Sequence, residues 1–122
     1  MEMKKIFVYG TLRKGFGLNN YMDNFKYLGV GKLKGFDMFS NGYFPMIIKG
    51  SGEVVGEVVG EVYEIENGIN EIGVLDKIES AYTRTKVRVK LNGVLTDVEV
   101  YVYNGDVTSF TQIKSGNWIL RI

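Results

Sequence analysis

Near its start, this 122-residue chain carries the stretch Ile6-Phe7-Val8-Tyr9-Gly10-Thr11-Leu12-Arg13-Lys14-Gly15. Its first three residues are apolar and either β-branched or aromatic, which predicts a buried strand. The chain then enters a turn between Gly10 and Gly15, where glycine allows backbone N–H groups to face a ligand. A tight turn without any ligand is the alternative interpretation of the two glycines. The stretch therefore predicts a first strand that leads directly into a candidate binding loop.

The composition is that of an ordinary globular protein, and the length predicts a single domain over residues 1–122. The 15 basic and 14 acidic residues are scattered and give a net charge of +1, so nucleic acid is not an expected partner. Only a short apolar run follows the first lysines, so we expect neither a secretory signal nor a membrane partner. These features favour a cytoplasmic protein, and they leave the oligomeric state open.

The chain contains no cysteine and no histidine. It therefore has no thiolate nucleophile, no histidine general base and no sulfur ligand for a metal. We expect no metal site and no cofactor. Any acid–base chemistry must come from Asp, Glu, Lys or Tyr.

Residue periodicity predicts several strands and two short helices. Residues 53–65 alternate, with valines and glycines on one face and Glu57 and Glu61 on the other, as expected in a tightly curved sheet. Helical spacing occurs over residues 18–25 and again from Ile69 to near Glu79. We also expect one glycine-bent strand over residues 27–39, a hairpin closing on the long strand at residues 49–52, another through Asn92-Gly93, and a last strand around Trp118. The pattern predicts an α+β fold, a small mixed β-barrel with two short helices.

Glu79 is the candidate acid–base group. It lies at the end of the second predicted helix, where the helix dipole disfavours a negative charge, and Asp76 lies one turn earlier. Both effects are expected to raise the pKa of Glu79, and burial would raise it further, toward the range useful near neutral pH. A solvated glutamate at a helix end is the alternative interpretation.

Two motifs together resemble the gamma-glutamylcyclotransferase-like family, which includes the gamma-glutamylamine cyclotransferases. They are the Tyr9-Gly10-Thr11-Leu12-Arg13 loop and Leu75-Asp76-Lys77-Ile78-Glu79, which is similar to the family segment that ends in its catalytic glutamate. Asn117 replaces the aspartate that is usual near the end of the family pattern. Further similar segments are Tyr43-Phe44-Pro45, Gly60-Glu61-Val62-Tyr63, Tyr82 with Arg84, Tyr103, and Ser115-Gly116-Asn117-Trp118.

The resemblance implies a metal-independent intramolecular acyl transfer on a small-molecule gamma-glutamyl substrate. The α-amine attacks the side-chain carbonyl, 5-oxoproline forms, and an amine or amino acid leaves, with Glu79 as the general acid and base. Substrate binding is implied for the remaining site residues, which are Tyr9, Gly10, Thr11, Leu12, Tyr43, Pro45 and Tyr103. The alternative is a non-catalytic member of the same fold that binds a small molecule.

Overall fold

The computed structural model describes residues 2–50 and 55–121. The chain forms a closed five-stranded barrel with a three-stranded sheet beside it. Around the barrel the strand order is β1-β5-β2-β6-β7, and a parallel pairing of β1 with β7 closes an otherwise antiparallel ring. The predicted small mixed barrel is confirmed. In chain order the elements are β1 (Met3–Val8), a 3₁₀ helix (Asn19–Met22), β2 (Lys26–Lys34), β3 (Phe36–Ser40), β4 (Pro45–Lys49), β5 (Glu57–Glu66), α1 (Ile69–Ile78), β6 (Tyr82–Leu91), β7 (Val94–Tyr103) and β8 (Thr111–Ile113).

The two predicted helices differ in outcome. The second is α1, which ends directly before Glu79 as expected. The first is only a four-residue 3₁₀ helix, which no side-chain hydrogen bond caps, and the side chain of its first residue, Asn19, is engaged elsewhere. Its Nδ2 donates to the Leu12 carbonyl at 2.8 Å and to Tyr63 Oη at 3.2 Å. This segment therefore serves to fold the loop after β1 back onto the barrel.

The strand expected over residues 27–39 is two strands, and the structure corrects that prediction. The chain breaks at Gly35, whose φ of +89° is accessible to glycine but strained for other residues. β2 stays in the barrel, whereas β3 leaves it and pairs with β4 and β8. The break thus creates the separate sheet. The hairpin expected at residues 49–52 lies partly outside the described residues.

The expected final strand around Trp118 is also wrong. The last strand is β8, and residues 118–120 form a turn because Asn117 accepts from the following amides, with its carbonyl bonded to Leu120 N at 3.1 Å. Trp118 is buried in the core instead. The predicted Asn92-Gly93 turn is confirmed, since it joins β6 to β7 with Leu91 opposite Val94.

Two groups of buried apolar side chains hold the elements together. One fills the barrel and reaches the small sheet, and Phe7, Val62 and Val100 are fully buried in it. The other lies on the opposite face of β1 and β5, where Ile72 and Leu75 of α1 pack against the barrel wall. Period-two alternation puts one face of β1 and one face of β5 in each group. This packing fixes the C-terminal end of α1 near the loop that follows β1.

Candidate active site

A cavity of about 420 Å³ lies where β1 leads into its loop. It brings together the end of β1, the start of β4, the end of α1 and the end of β7. Because α1 packs on the outer face of the barrel, its last turn approaches the loop although the two are far apart in sequence. Seven of the eight predicted site residues line this cavity: Tyr9, Gly10, Thr11, Leu12, Pro45, Glu79 and Tyr103.

Tyr43 is the predicted site residue that the structure does not bring there. Its side chain is 78% exposed and does not line the cavity. Asn41 Oδ1 accepts from the amides of Tyr43 and Phe44, both at 2.9 Å, and this turn directs Phe44 to the cavity wall. The aromatic contribution expected of Tyr43 therefore comes from its neighbour.

In the loop after β1, the backbone carbonyls of residues 10–12 are hydrogen-bonded, whereas the backbone amides of the same residues are open in the described part of the chain. The Gly10 carbonyl accepts from Arg13 N at 3.0 Å, the Thr11 carbonyl from Leu18 N at 3.1 Å, and the Leu12 carbonyl from Asn19 Nδ2 at 2.8 Å. By contrast, the amides of Gly10, Thr11 and Leu12 donate to no acceptor within residues 2–50 and 55–121. A loop with its carbonyls satisfied and its N–H groups open is suited to binding a carboxylate or an oxyanion.

A close approach of the loop to Pro45 requires glycine at position 10. A Cβ atom at this position would lie 2.5 Å from Pro45 Cγ, well inside van der Waals contact. The loop therefore packs directly on the first residue of β4. Tyr82 Oη donates to the Pro45 carbonyl at 3.0 Å and so also holds this residue.

Glu79 is the residue immediately after α1, and its amide closes the helix by donating to the Leu75 carbonyl at 2.9 Å. The side chain is half-buried in the cavity, and burial raises its pKa to about 7. A carboxyl with this pKa can both accept and return a proton near neutral pH.

The expected contribution of Asp76 to that pKa is absent, because the Asp76 carboxylate is engaged outside the cavity. It accepts from Tyr101 Oη at 2.7 Å and lies 3.5 Å from Arg84 Nη2. Desolvation is instead the cause of the raised pKa of Glu79. Asp76 serves to fasten the last turn of α1 to the barrel.

Tyrosines form much of the cavity wall. Tyr9 Oη donates to the Tyr101 carbonyl at 2.7 Å, and the pKa of Tyr9 is raised by burial and by the nearby Tyr82 and Glu79. Tyr82 and Tyr103 meet edge to face with ring centroids 5.5 Å apart. The site prediction did not include Tyr101 or Tyr82. Period-two alternation could have indicated Tyr101, which lies two residues before Tyr103 on β7.

The electrostatics of the cavity depend on very few groups. Glu79 is its one carboxylate, and no lysine or arginine is among the described lining residues. Across residues 2–50 and 55–121, no three side chains of the metal-binding types are grouped to hold an ion. No helix in these same ranges has the length and apolarity needed to cross a membrane. The cavity is thus lined both by one carboxyl with a raised pKa and by a loop whose backbone amides are open.

Comparison with known proteins gives matches over nearly the whole chain. The family model described as "Gamma-glutamyl cyclotransferase, AIG2-like" matches residues 6–120. A gamma-glutamylcyclotransferase family protein, ytfP, from Citrobacter rodentium is 33% identical over 118 residues, which cover 96% of each chain. The solution structure of ytfP from Escherichia coli superposes with a TM-score of 0.70 at 31% identity, covering 96% of this chain and 97% of that one. An uncharacterised Pyrococcus horikoshii protein, PH0828, superposes with a TM-score of 0.74 at 27% identity, covering 94% and 89%.

Proposed function

Because the chain belongs to the gamma-glutamyl cyclotransferase, AIG2-like family, we propose that it cyclises a gamma-glutamyl group to 5-oxoproline and releases an amine or amino acid. One observation carries the proposal. Glu79, with its pKa raised to about 7, lines the same cavity as the open amides of Gly10, Thr11 and Leu12. A proton carrier and oxyanion donors around one cavity are what an intramolecular acyl transfer needs.

The first half of the reaction forms the ring. The Glu79 carboxylate takes a proton from the substrate α-ammonium, and the freed amine attacks the side-chain carbonyl carbon of the same molecule. A C–N bond forms, and the carbonyl oxygen becomes an oxyanion that the amides of Gly10 to Leu12 stabilise. Holding the substrate folded removes much of the entropic barrier to this attack.

The second half expels the leaving group. The oxyanion collapses to the lactam carbonyl, the original amide C–N bond breaks, and protonated Glu79 returns its proton to the departing nitrogen. The new ring nitrogen, which still carries two protons after the attack, releases one of them to solvent and becomes the neutral lactam N–H. The carboxylate is thereby regenerated, and no metal or thiol takes part. The aromatic side chains of Phe44, Tyr82 and Tyr103 limit access of water and provide an apolar wall for the leaving group.

The test is to incubate the purified protein with a gamma-glutamyl amine and with a gamma-glutamyl amino acid and to measure 5-oxoproline. We expect release from at least one of them. Glu79→Gln keeps the shape of the side chain but cannot carry the proton, so we expect kcat to fall by about 100-fold or more. Glu71→Gln, in the first turn of α1 and outside the cavity, is the matched control and should retain activity.

The alternative of a non-catalytic binding protein gives a different result. In that case the unmutated protein would be protected against thermal unfolding by the gamma-glutamyl compound, yet no 5-oxoproline would form. Protection without turnover would therefore overturn the proposed reaction while retaining the cavity as a binding site.

A further inference from the structure

A buried ion pair lies beneath the loop that follows β1, and the proposed reaction does not use it. Arg13 is 4% exposed and Glu61 is 5% exposed, with Arg13 Nε 3.2 Å from Glu61 Oε2. Charged side chains are rarely buried so completely unless they are paired. Neither residue lines the cavity, so any effect on the reaction must pass through the loop.

The Glu61 carboxylate is hydrogen-bonded through both oxygens. Oε1 accepts from Lys14 N at 2.9 Å and from Tyr63 Oη at 3.0 Å, while Oε2 accepts from Arg13. Glu61 is paired with Val8, the last residue of β1. The carboxylate therefore lies at the point where the chain leaves the strand and enters the loop.

The network also reaches beyond Glu61. Arg13 Nη1 donates to Asn117 Oδ1 at 3.0 Å, which ties the loop to the segment after β8. Tyr63 Oη accepts from Asn19 Nδ2 at 3.2 Å, and the same nitrogen donates to the Leu12 carbonyl. The backbone that follows the open amides is thus linked, at the Leu12 carbonyl and at Lys14 N, to one carboxylate on β5.

We propose that Glu61 is a positioning residue, whose carboxylate holds the loop so that the amides of Gly10, Thr11 and Leu12 are presented to the substrate. This inference rests on the proposed function, since it assigns those amides to the substrate and its oxyanion. A small displacement of such donors is sufficient to lower the rate by about 100-fold. The competing possibility is that the ion pair contributes to stability alone.

Replacing both charges separates the two roles. Apolar side chains of similar size frequently preserve or improve the stability that a buried ion pair gives. They cannot, however, accept the hydrogen bond from Lys14 N or the one from Tyr63 Oη. The double substitution Arg13→Met with Glu61→Met therefore removes the acceptor that the loop needs without leaving an unpaired buried charge.

The experiment measures Tm, kcat for 5-oxoproline release and hydrogen exchange of the Leu18 amide, which donates to the Thr11 carbonyl and so reports the loop conformation. In the double variant we expect the cooperative thermal transition of a folded protein, a kcat lowered about 100-fold and a loss of Leu18 protection. Glu61→Gln, which keeps the shape but loses the charge, should also lower kcat. Glu64→Gln is the matched control. Glu64 is on the same strand, but its carboxylate lies 3.7 Å from Lys5 Nζ and makes no bond to the loop.

If the double variant keeps the kcat of the unmutated protein, or if its Leu18 amide stays fully protected from exchange, the proposed positioning role of Glu61 is wrong. If the unmutated protein releases no 5-oxoproline, the proposed function fails. The exchange of the Leu18 amide then decides by itself whether Glu61 orders the loop.

Discussion

Replacing Glu79 by glutamine is expected to stabilise the protein at pH 8 and to leave its stability nearly unchanged at pH 4. Burial raises the pKa of Glu79 from 4.5 to about 7 in the folded protein, whereas the unfolded chain keeps the ordinary value. Between these two values the folded state binds more protons than the unfolded state, so the free energy of unfolding falls as the pH rises. Above about pH 7 the full destabilising effect of the ionised carboxylate is present.

The magnitude follows from the same two pKa values. The difference between 4.5 and about 7, at about 1.4 kcal/mol for each pH unit, corresponds to about 3 kcal/mol. Glu79 retains partial contact with solvent, which screens the charge, so we expect a gain of about 2–3 kcal/mol from the glutamine at pH 8. Glutamine does not titrate, and it fills nearly the same volume.

Urea unfolding of the unmutated protein and of Glu79→Gln at pH 4 and pH 8 gives this difference directly. Effects of pH on other carboxylates are common to both proteins and cancel in the comparison. Glu71→Gln controls for the loss of a carboxylate from α1. A stability difference that is the same at both pH values, or a variant less stable at pH 8, would refute the assignment of a buried, strongly perturbed carboxyl to Glu79.

Three further predictions concern the same cavity. First, kcat/KM should rise with pH through a midpoint near 7 as Glu79 loses its proton, and a midpoint near 4.5 would contradict the raised pKa. Second, Gly10→Ala should lower both activity and the free energy of unfolding, the latter by about 1–3 kcal/mol, because its Cβ meets Pro45. Activity assays and denaturant unfolding check this, and an unaffected variant would show that the loop can move aside. Third, Tyr9→Phe should cost about 1–3 kcal/mol in chemical denaturation, because the buried Tyr101 carbonyl loses its donor; no loss would mean that water replaces it.

Local patterns predicted those parts of the fold that depend on neighbours in sequence. The alternation on β6 and β7 and the turn at Asn92 are read from a few adjacent residues, and so is the helical spacing that ends before Glu79. Predictions failed where a distant group competed with local propensity. Within the first predicted helix, the Asn19 side chain bonds to Leu12 and Tyr63, and only a short 3₁₀ helix forms there.

The candidate site shows the same division. The sequence predicted the loop that contains Gly10 and the position of Glu79, because each lies in a short contiguous motif. The sequence predicted that the pKa of Glu79 is raised, and burial is the cause. The expected contribution of Asp76 is absent, because its carboxylate bonds to Tyr101. Burial is a property of the assembled molecule, and no single segment contains it.

The sequence by itself determined a chemistry without cysteine or histidine, the alternation that builds a curved sheet, and the two short motifs that hold the candidate reactive groups. Only the tertiary structure decided that these motifs line one cavity, that Phe44 is directed there and Tyr43 is not, and that Glu61 is buried beneath the loop. The physical reason is that backbone periodicity is set by neighbours along the chain. Desolvation and side-chain hydrogen bonds depend instead on which strands close the barrel.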